Sequence, residues 1–438
     1  MFDSMLLKRS LRLLSLPLLA SATIFQNGQI RPTNYPDTTI SLDSYGNDTE
    51  WHRYGPESPE LSYKGRWDDR YISWWSAPGL KFGFQADNVA ITFGNYTSAG
   101  VLIAYRLDGQ DWMLTNVTAN STHLLIDPST TGWNLTTSED GLRTFELRVT
   151  NWAYGVQIEC IHLSGSKGTL VKLPDYSRRI EIIGDSLSTG YGCTLEGISS
   201  WSWNLAYGLG DTEFSVTAYP GICLADSSCW GNSRGQIYQW KKTCDTSGRA
   251  MEMFGPNLTD APDWDFSKQP HPDITIINIG TNDNSTHDNV TAEEFKAAYI
   301  ALLTDMHTIW PSTKIIVKSL WWGWNKVGST WVQGTGFYNE VQDVVKHFNN
   351  GSLNKMGEVD GGFVYYYNTT GIMQHNDNSP VYHPTDVGQI KVASHLMEYI
   401  RLVFGWEFRA TGPEVQHQTL YCSIFLMFDG FVDAEKQE

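Results

Sequence analysis

Between about residues 60 and 175 the apolar residues come in short runs, alternating or unbroken, and no helical period is present. The runs are Leu80 to Phe84, Val89 to Phe93, Val101 to Tyr105, Phe145 to Val149 and Val156 to Leu163. Successive side chains in a strand point to opposite faces, so such runs predict half-buried antiparallel strands. Asp108-Gly109, between Tyr105 and Trp112, is a hairpin-turn signal. The pattern predicts an all-β sandwich of jelly-roll type over residues 60–175.

After residue 176 the pattern changes. Arg179 to Ile183 and Asp273 to Ile279 are near-continuous apolar runs, the signature of strands buried on both faces of a parallel sheet. Glu213 to Ala218 and Lys314 to Lys318 read as further strands. Between and after them lie helical periods. Thr291-Ala292-Glu293-Glu294 is a capping box, followed by Phe295, Tyr299, Leu302, Leu303 and Met306 on one face. Thr385 to about Phe404 repeats the period with Val387, Ile390, Val392, Ala393, Leu396 and Ile400. The alternation predicts a three-layer α/β domain with a parallel sheet over residues 176–410. Residues 23–59 read as an N-terminal linker or extension, and 411–438 as a tail without a clear pattern.

Three separated segments carry candidate chemistry. Ser186 follows the break Gly184-Asp185 at the end of one strand, where open α/β sheets bind their ligands. Asn282, in Gly280-Thr281-Asn282-Asp283, follows the next buried run; its amide can donate to a developing oxyanion without the desolvation penalty of an ion. Gly221, after the strand ending at Ala218, lets the backbone approach a ligand closely. His383, just ahead of the last helix, is a candidate general base, with His375 as a rival. A nucleophile, an oxyanion donor and a base are what acyl transfer needs. Taken singly, each segment reads first as a polar turn. Position 188 is Ser, so the Gly-x-Ser-x-Gly elbow of another hydrolase class is absent.

Gly184-Asp185-Ser186-Leu187, a glycine after the next strand, Gly280-Thr281-Asn282-Asp283 and His383-Pro384 resemble, in order, the four blocks of the SGNH (GDSL-type) hydrolases. That resemblance implies Ser186 as nucleophile and His383 as general base. It also implies an oxyanion hole built from the Ser186 and Gly221 amides and the Asn282 side chain. Many members place an acid shortly before the histidine; here positions 380 and 381 are Pro and Val. Either a Ser186–His383 dyad works, or Asp377 or Asp386 supports the imidazole from elsewhere. The preceding β region, with Gly65-Arg66-Trp67 and Trp74-Trp75-Ser76, makes the whole chain similar to fungal members of carbohydrate esterase family two. Those enzymes pair a jelly roll with an SGNH domain and remove acetyl groups from plant polysaccharides. The resemblance implies an acetylated polysaccharide or oligosaccharide as substrate, and no cofactor.

Composition adds compartment and partners. A formal net charge of -17 over 438 residues argues against nucleic acid or an anionic membrane surface as partner. Lys8, Arg9 and Arg12, a short apolar stretch and Ala20-Ser21-Ala22 read as a signal peptide over residues 1–22, so a secreted, extracellular protein is expected. Ten Asn-x-Ser/Thr sequons fit a glycosylated surface; the one at Asn284 would crowd Asn282 and is expected to stay bare. Six cysteines permit three disulfides, with Cys229–Cys244 the first expectation on proximity. No Cys-x-x-Cys or His-x-x-x-His pair is present, so no zinc site is expected. Among 18 tryptophans, Trp321, Trp322, Trp324 and Trp230 are candidates to stack on sugar rings, as are Trp201 and Trp203, with core packing the competing role. Two other functions share these features: an SGNH lipase or esterase for longer acyl chains, and a non-catalytic carbohydrate-binding protein.

Overall fold

The computed structural model describes residues 24–26, 29–31, 35–45, 50–134, 141–165, 167–285, 287–321, 323–334, 336–353, 362–378 and 382–410. The expected signal peptide, Trp322, Pro380, Val381 and the tail 411–438 lie outside them. The chain divides into two compact units, Met1–Tyr35 and Pro36–Glu438. In the first, Ile24–Gln26 and Gln29–Arg31 pair as an antiparallel hairpin. Everything below concerns the second.

Every β run expected before residue 175 is a strand. A five-stranded sheet has the order Thr39–Ile40, Ser121–Ile126, Asn88–Phe93, Ile158–Ser164, Trp51–Tyr54. It thus takes two strands from the stretch ahead of residue 60. Opposite it lie Ser73–Gln85, Arg143–Val149, Val101–Leu107 and Met113–Val117, paired antiparallel in that order. Inward residues of both sheets form one core, including Phe82, Phe93, Phe145 and Ile161, all fully buried. The Phe82 and Phe145 rings stack at 4.9 Å. Asp108 and Gly109 both have positive φ, as the hairpin signal requires.

The α/β part is built on five parallel strands: β1 (Arg178–Gly184), β2 (Thr212–Ala218), β3 (Ile274–Asn278), β4 (Lys314–Lys318) and β5 (Val364–Tyr367). Their order is β5-β4-β3-β1-β2, so the chain reverses direction across the sheet between β1 and β3. The crevice at such a switch point, outside the carboxyl ends of the strands, is where this architecture binds ligands. Helices α1 (Ser186–Thr189), α2 (Trp201–Leu209), α3 (Ala292–Ile309), α4 (Tyr338–Phe348) and α5 (Asp386–Phe404) accompany the sheet. Both expected helices are present, and Thr291 forms its capping box with Glu294.

The two parts share one sheet. Ser73–Gln85 pairs antiparallel with β2 through Ser76 and Val216, making a continuous sheet of 11 strands. A second tie is Arg66, fully buried on the strand Ser62–Trp67. Its guanidinium donates to the Trp240 and Lys242 carbonyls, at 2.6 Å each, and lies 3.9 Å from the Glu181 carboxylate of β1. Removing one partner of a buried ion pair leaves the other charge uncompensated. We expect Arg66→Ala to lower unfolding free energy by about 3–5 kcal/mol in denaturant titration. A loss below about 1 kcal/mol would show that this tie is dispensable.

Candidate active site

The site is assembled where the sequence blocks leave the carboxyl ends of β1, β2 and β3. Ser186 opens α1 immediately after β1. Asp185 caps that helix by accepting the Leu187 amide at 2.9 Å. Gly184 must lack a side chain here, because a Cβ would fall 2.2 Å from the Ser188 hydroxyl and 2.9 Å from the Asn278 carbonyl. The His383 Nε2 lies 2.8 Å from the Ser186 Oγ, although the two residues are 197 apart in sequence. This distance is what general-base activation of a hydroxyl requires.

Gly221 sits on the loop after β2 with φ +78°. A Cβ at that position would fall 2.7 Å from the Trp230 Cβ, so both conformation and space demand glycine. The loop is held by several independent ties. Asn232 donates to the Pro220 and Cys229 carbonyls. Asp283, after β3, accepts the amides of Leu224 and Ala225 at 2.7 and 2.9 Å. Asn282 Nδ2 donates to the Ile222 carbonyl at 2.9 Å, leaving its second N–H for an oxyanion. A disulfide joins Cys223 and Cys229. The expected Cys229–Cys244 pairing is therefore corrected: the bend over residues 224–227, where the Ser227 amide donates to the Ala225 carbonyl, brings Cys229 back onto Cys223, six positions earlier. Cys244 is buried and free, as are Cys160 and Cys193.

The segment carrying His383 is also anchored. Thr385 caps α5 through Gly388, and its amide and hydroxyl donate to the Asp377 carbonyl. The Tyr191 ring lies 4.7 Å from the imidazole. Both candidate supporting acids have partners of their own. Asp377, itself buried, pairs with the half-exposed Lys391 at 2.7 Å, and Asp386 accepts the Thr194 hydroxyl and amide. His375, the rival base, stacks on Trp331 at 3.8 Å.

Electrostatics behind Ser186 are unusual. Burial pushes the Asp185 carboxyl up to about 7, opposed by the Leu187 amide and reinforced by Asp283. Burial likewise raises Asp283 to about 6 against its two amide donors. Lys318, at the end of β4, is fully buried between the rings of Trp201 and Trp321, 3.4 and 4.2 Å from their centroids. Burial holds its ammonium well below the ordinary lysine range, opposed by Asp185. Among the described residues one group, Cys223, Cys229 and Asp288, has metal-ligand proximity, but both its sulfurs are consumed by the disulfide.

Around Ser186 and His383 opens a cleft of about 760 Å³, lined also by Gly221, Asn282, Trp230 and Trp321. Trp230 is 59% exposed at its rim; Trp321 is buried in its wall. Trp324 is half-buried on a neighbouring hairpin and Trp322 is outside the described residues. Trp201 and Trp203 are core residues. Sequence reasoning missed Trp152, Tyr191, Tyr219 and Tyr382, which all line the cleft. A usable signal existed for two of them, since Tyr382 adjoins His383 and Tyr219 adjoins Pro220-Gly221.

No family model matches the chain. A curated relative, the cellulase/esterase CelE of Acetivibrio thermocellus, is 25% identical over 379 residues, 80% of this chain. The chain spans 40% of the length of that relative. A family two carbohydrate esterase with a carbohydrate binding domain from Corynascus (Myceliophthora fergusii) superposes with TM-score 0.61 at 19% identity, covering 79% of this chain and all of the other. The acetyl xylan esterase Est2A of Butyrivibrio proteoclasticus superposes with TM-score 0.61 at 17% identity, covering 82% and 99%. The fold is thus that of the GDSL-type family two carbohydrate esterases.

Two outcomes follow from this geometry. Gly221→Ala keeps the backbone N–H but should displace it, through the φ of +78° and the clash with Trp230; if that N–H is an oxyanion donor, kcat/KM on an aryl acetate should fall by about 100-fold, and near wild-type activity would remove that loop from the site. Asp185 and Asp283 have raised folded-state values, so their stabilising contribution is complete below the unfolded carboxylate value near 4. It is lost as pH rises through about 6 to 7. Lys318 and His162, whose values burial lowers, give the opposite slope, so the test is a difference: the Tm of wild type minus that of Asp283→Asn should fall between pH 5 and pH 8, and a constant difference would contradict the assignment.

Proposed function

We propose that the protein is a secreted serine esterase that removes acetyl groups from plant cell-wall polysaccharide, with an SGNH domain behind a jelly-roll sandwich. The observation that carries the reading is the 2.8 Å contact between Ser186 Oγ and His383 Nε2 on a cleft that also holds Gly221 and Asn282. In this mechanism His383 takes the Ser186 proton as Oγ attacks the acetyl carbonyl. The Ser186 and Gly221 amides and the free Asn282 N–H hold the oxyanion. The imidazolium then gives its proton to the departing sugar oxygen, which leaves as a hydroxyl while Ser186 keeps the acetyl group. Water, deprotonated by His383, attacks the acetyl-enzyme and releases acetate. Pro380 and Val381 stand where an acid is usual, and Asp377 and Asp386 are held by Lys391 and Thr194, which fits a dyad better than a triad.

The acetyl specificity and the glycan substrate rest on the fold shared with carbohydrate esterases, and on a cleft rim bearing Trp230 and Tyr382, both exposed. Secretion rests on the N-terminal leader and the sequons. Of the nine sequon asparagines among the described residues, eight are exposed. Asn284 is half-buried against Gly336, in keeping with an unused site. A strongly acidic net charge agrees with a glycan partner over nucleic acid or an anionic membrane.

Ser186→Ala should abolish turnover of an aryl acetate while the circular dichroism spectrum stays that of the wild type. Asn282→Ala should slow it by roughly 100-fold or more. Retained turnover in Ser186→Ala would end the assignment. Acetate release from acetylated xylan or glucomannan, compared with hydrolysis of long-chain aryl esters, separates this reading from a lipase.

A further inference from the structure

Beside the catalytic cleft stands a hairpin that the mechanism does not use. Trp324–Val327 and Thr330–Gln333 pair antiparallel, turning through Gly328 at φ +62°. Its base belongs to the cleft, because Gly323 and Asn325 line the same cavity as Ser186 and His383. Beyond the base it is open, and three of its apolar side chains stand in water: Trp331 is 43% exposed, Val332 47% and Val327 62%. A lone two-stranded hairpin is marginal in water, so something must hold it. The Trp331 indole lies on the His375 imidazole, centroids 3.8 Å apart and planes 20° from parallel. Gly371 N–H donates to Gln333 Oε1, and Gly334 N–H to the Gly323 carbonyl. Trp331 is therefore a fixed ring with one face backed by an imidazole and much of the remainder in water.

Exposed apolar surface continuous with a binding cleft marks a contact site. Tyr382 joins hairpin and cleft: it is 72% exposed, lines the cavity, and its ring abuts Gly323, where a Cβ would fall 2.9 Å away. We propose that Trp331, backed by His375, is a distal subsite that stacks on a sugar ring of the glycan chain, beyond the acetylated residue seated at Ser186. The occupant is a neutral pyranose. Its C–H face suits an indole that offers one open side, and a chain of net charge -17 disfavours polyuronates. This rests on the esterase reading above and extends it: the enzyme favours polymers over acetylated monosaccharides or simple esters.

The test uses full-length Trp331→Ala and Trp331→Tyr, acetylated xylan and glucomannan, and 4-nitrophenyl acetate as internal reference. One aromatic contact corresponds to about tenfold in affinity. For Trp331→Ala, the ratio of polymer to aryl acetate kcat/KM should fall about tenfold, through a raised polymer KM. Tyr should restore most of it, since it keeps a stacking face. A polymer KM equal to wild type's overturns the subsite. If wild type hydrolyses the aryl ester but releases no acetate from any polymer, the glycan reading fails on its own. Electrophoresis through gels containing unacetylated xylan or glucomannan then decides: retardation of wild type lost in Trp331→Ala upholds the subsite, and an unretarded wild type rejects it.

Discussion

One buried carboxylate holds the site together. Asp283 leaves the end of β3 and accepts the amides of Leu224 and Ala225, which belong to the loop after β2. Placing that charge inside the protein is costly, and burial raises its protonation range to about 6. The two amides offset the cost and fix the loop that carries Gly221 relative to the strand that delivers Asn282. Asn282 adds a third tie through the Ile222 carbonyl. Ser186 arrives from β1, the strand between β2 and β3, so adjacent strands bring three of the four proposed site residues together. The last, His383, is set by the Thr385 cap ahead of α5.

Two of the thirteen described non-glycine residues with positive φ stand at the cleft. Trp230 and Tyr382, at the cleft rim, both have positive φ, at 47° and 61°. Bulky residues adopt that conformation at a cost of roughly 1–3 kcal/mol, and they do so where the surroundings over-determine it. At Trp230 the surroundings are the Cys223–Cys229 disulfide and the Asn232 hydrogen bonds. At Tyr382 they include contact with Gly323 and the tethered turn before α5. Rigid loops of this kind keep aromatic rings in place ahead of substrate, which limits the ordering entropy paid on binding.

Much of this was legible in the sequence, for physical reasons. Buried parallel strands tolerate few polar residues, so β1 and β3 stood out as apolar runs, and the blocks after them pointed to Ser186 and Asn282. The capping box at Thr291 and the helical period placed α3, and the helical period alone placed α5. Other features depend on distant partners and left weaker traces. A single pairing, Ser76 with Val216, makes the two sheets continuous. Cys223 closes on Cys229 because of a turn geometry that spacing alone did not reveal. The hairpin at Trp324–Gln333 is short, mixed and exposed on both faces, so its alternation was too brief to read as strands. Tyr191 and Trp152 reach the cleft only through the tertiary fold.

The proposed catalysis turns on Ser186 being a nucleophile activated by His383. An organophosphonate that traps serine esterases, followed by peptide mass spectrometry, tests this directly. It should give one adduct per chain, on Ser186, formed far more slowly in His383→Ala. Modification elsewhere, or an unlabelled Ser186 in the folded wild-type protein, would contradict it.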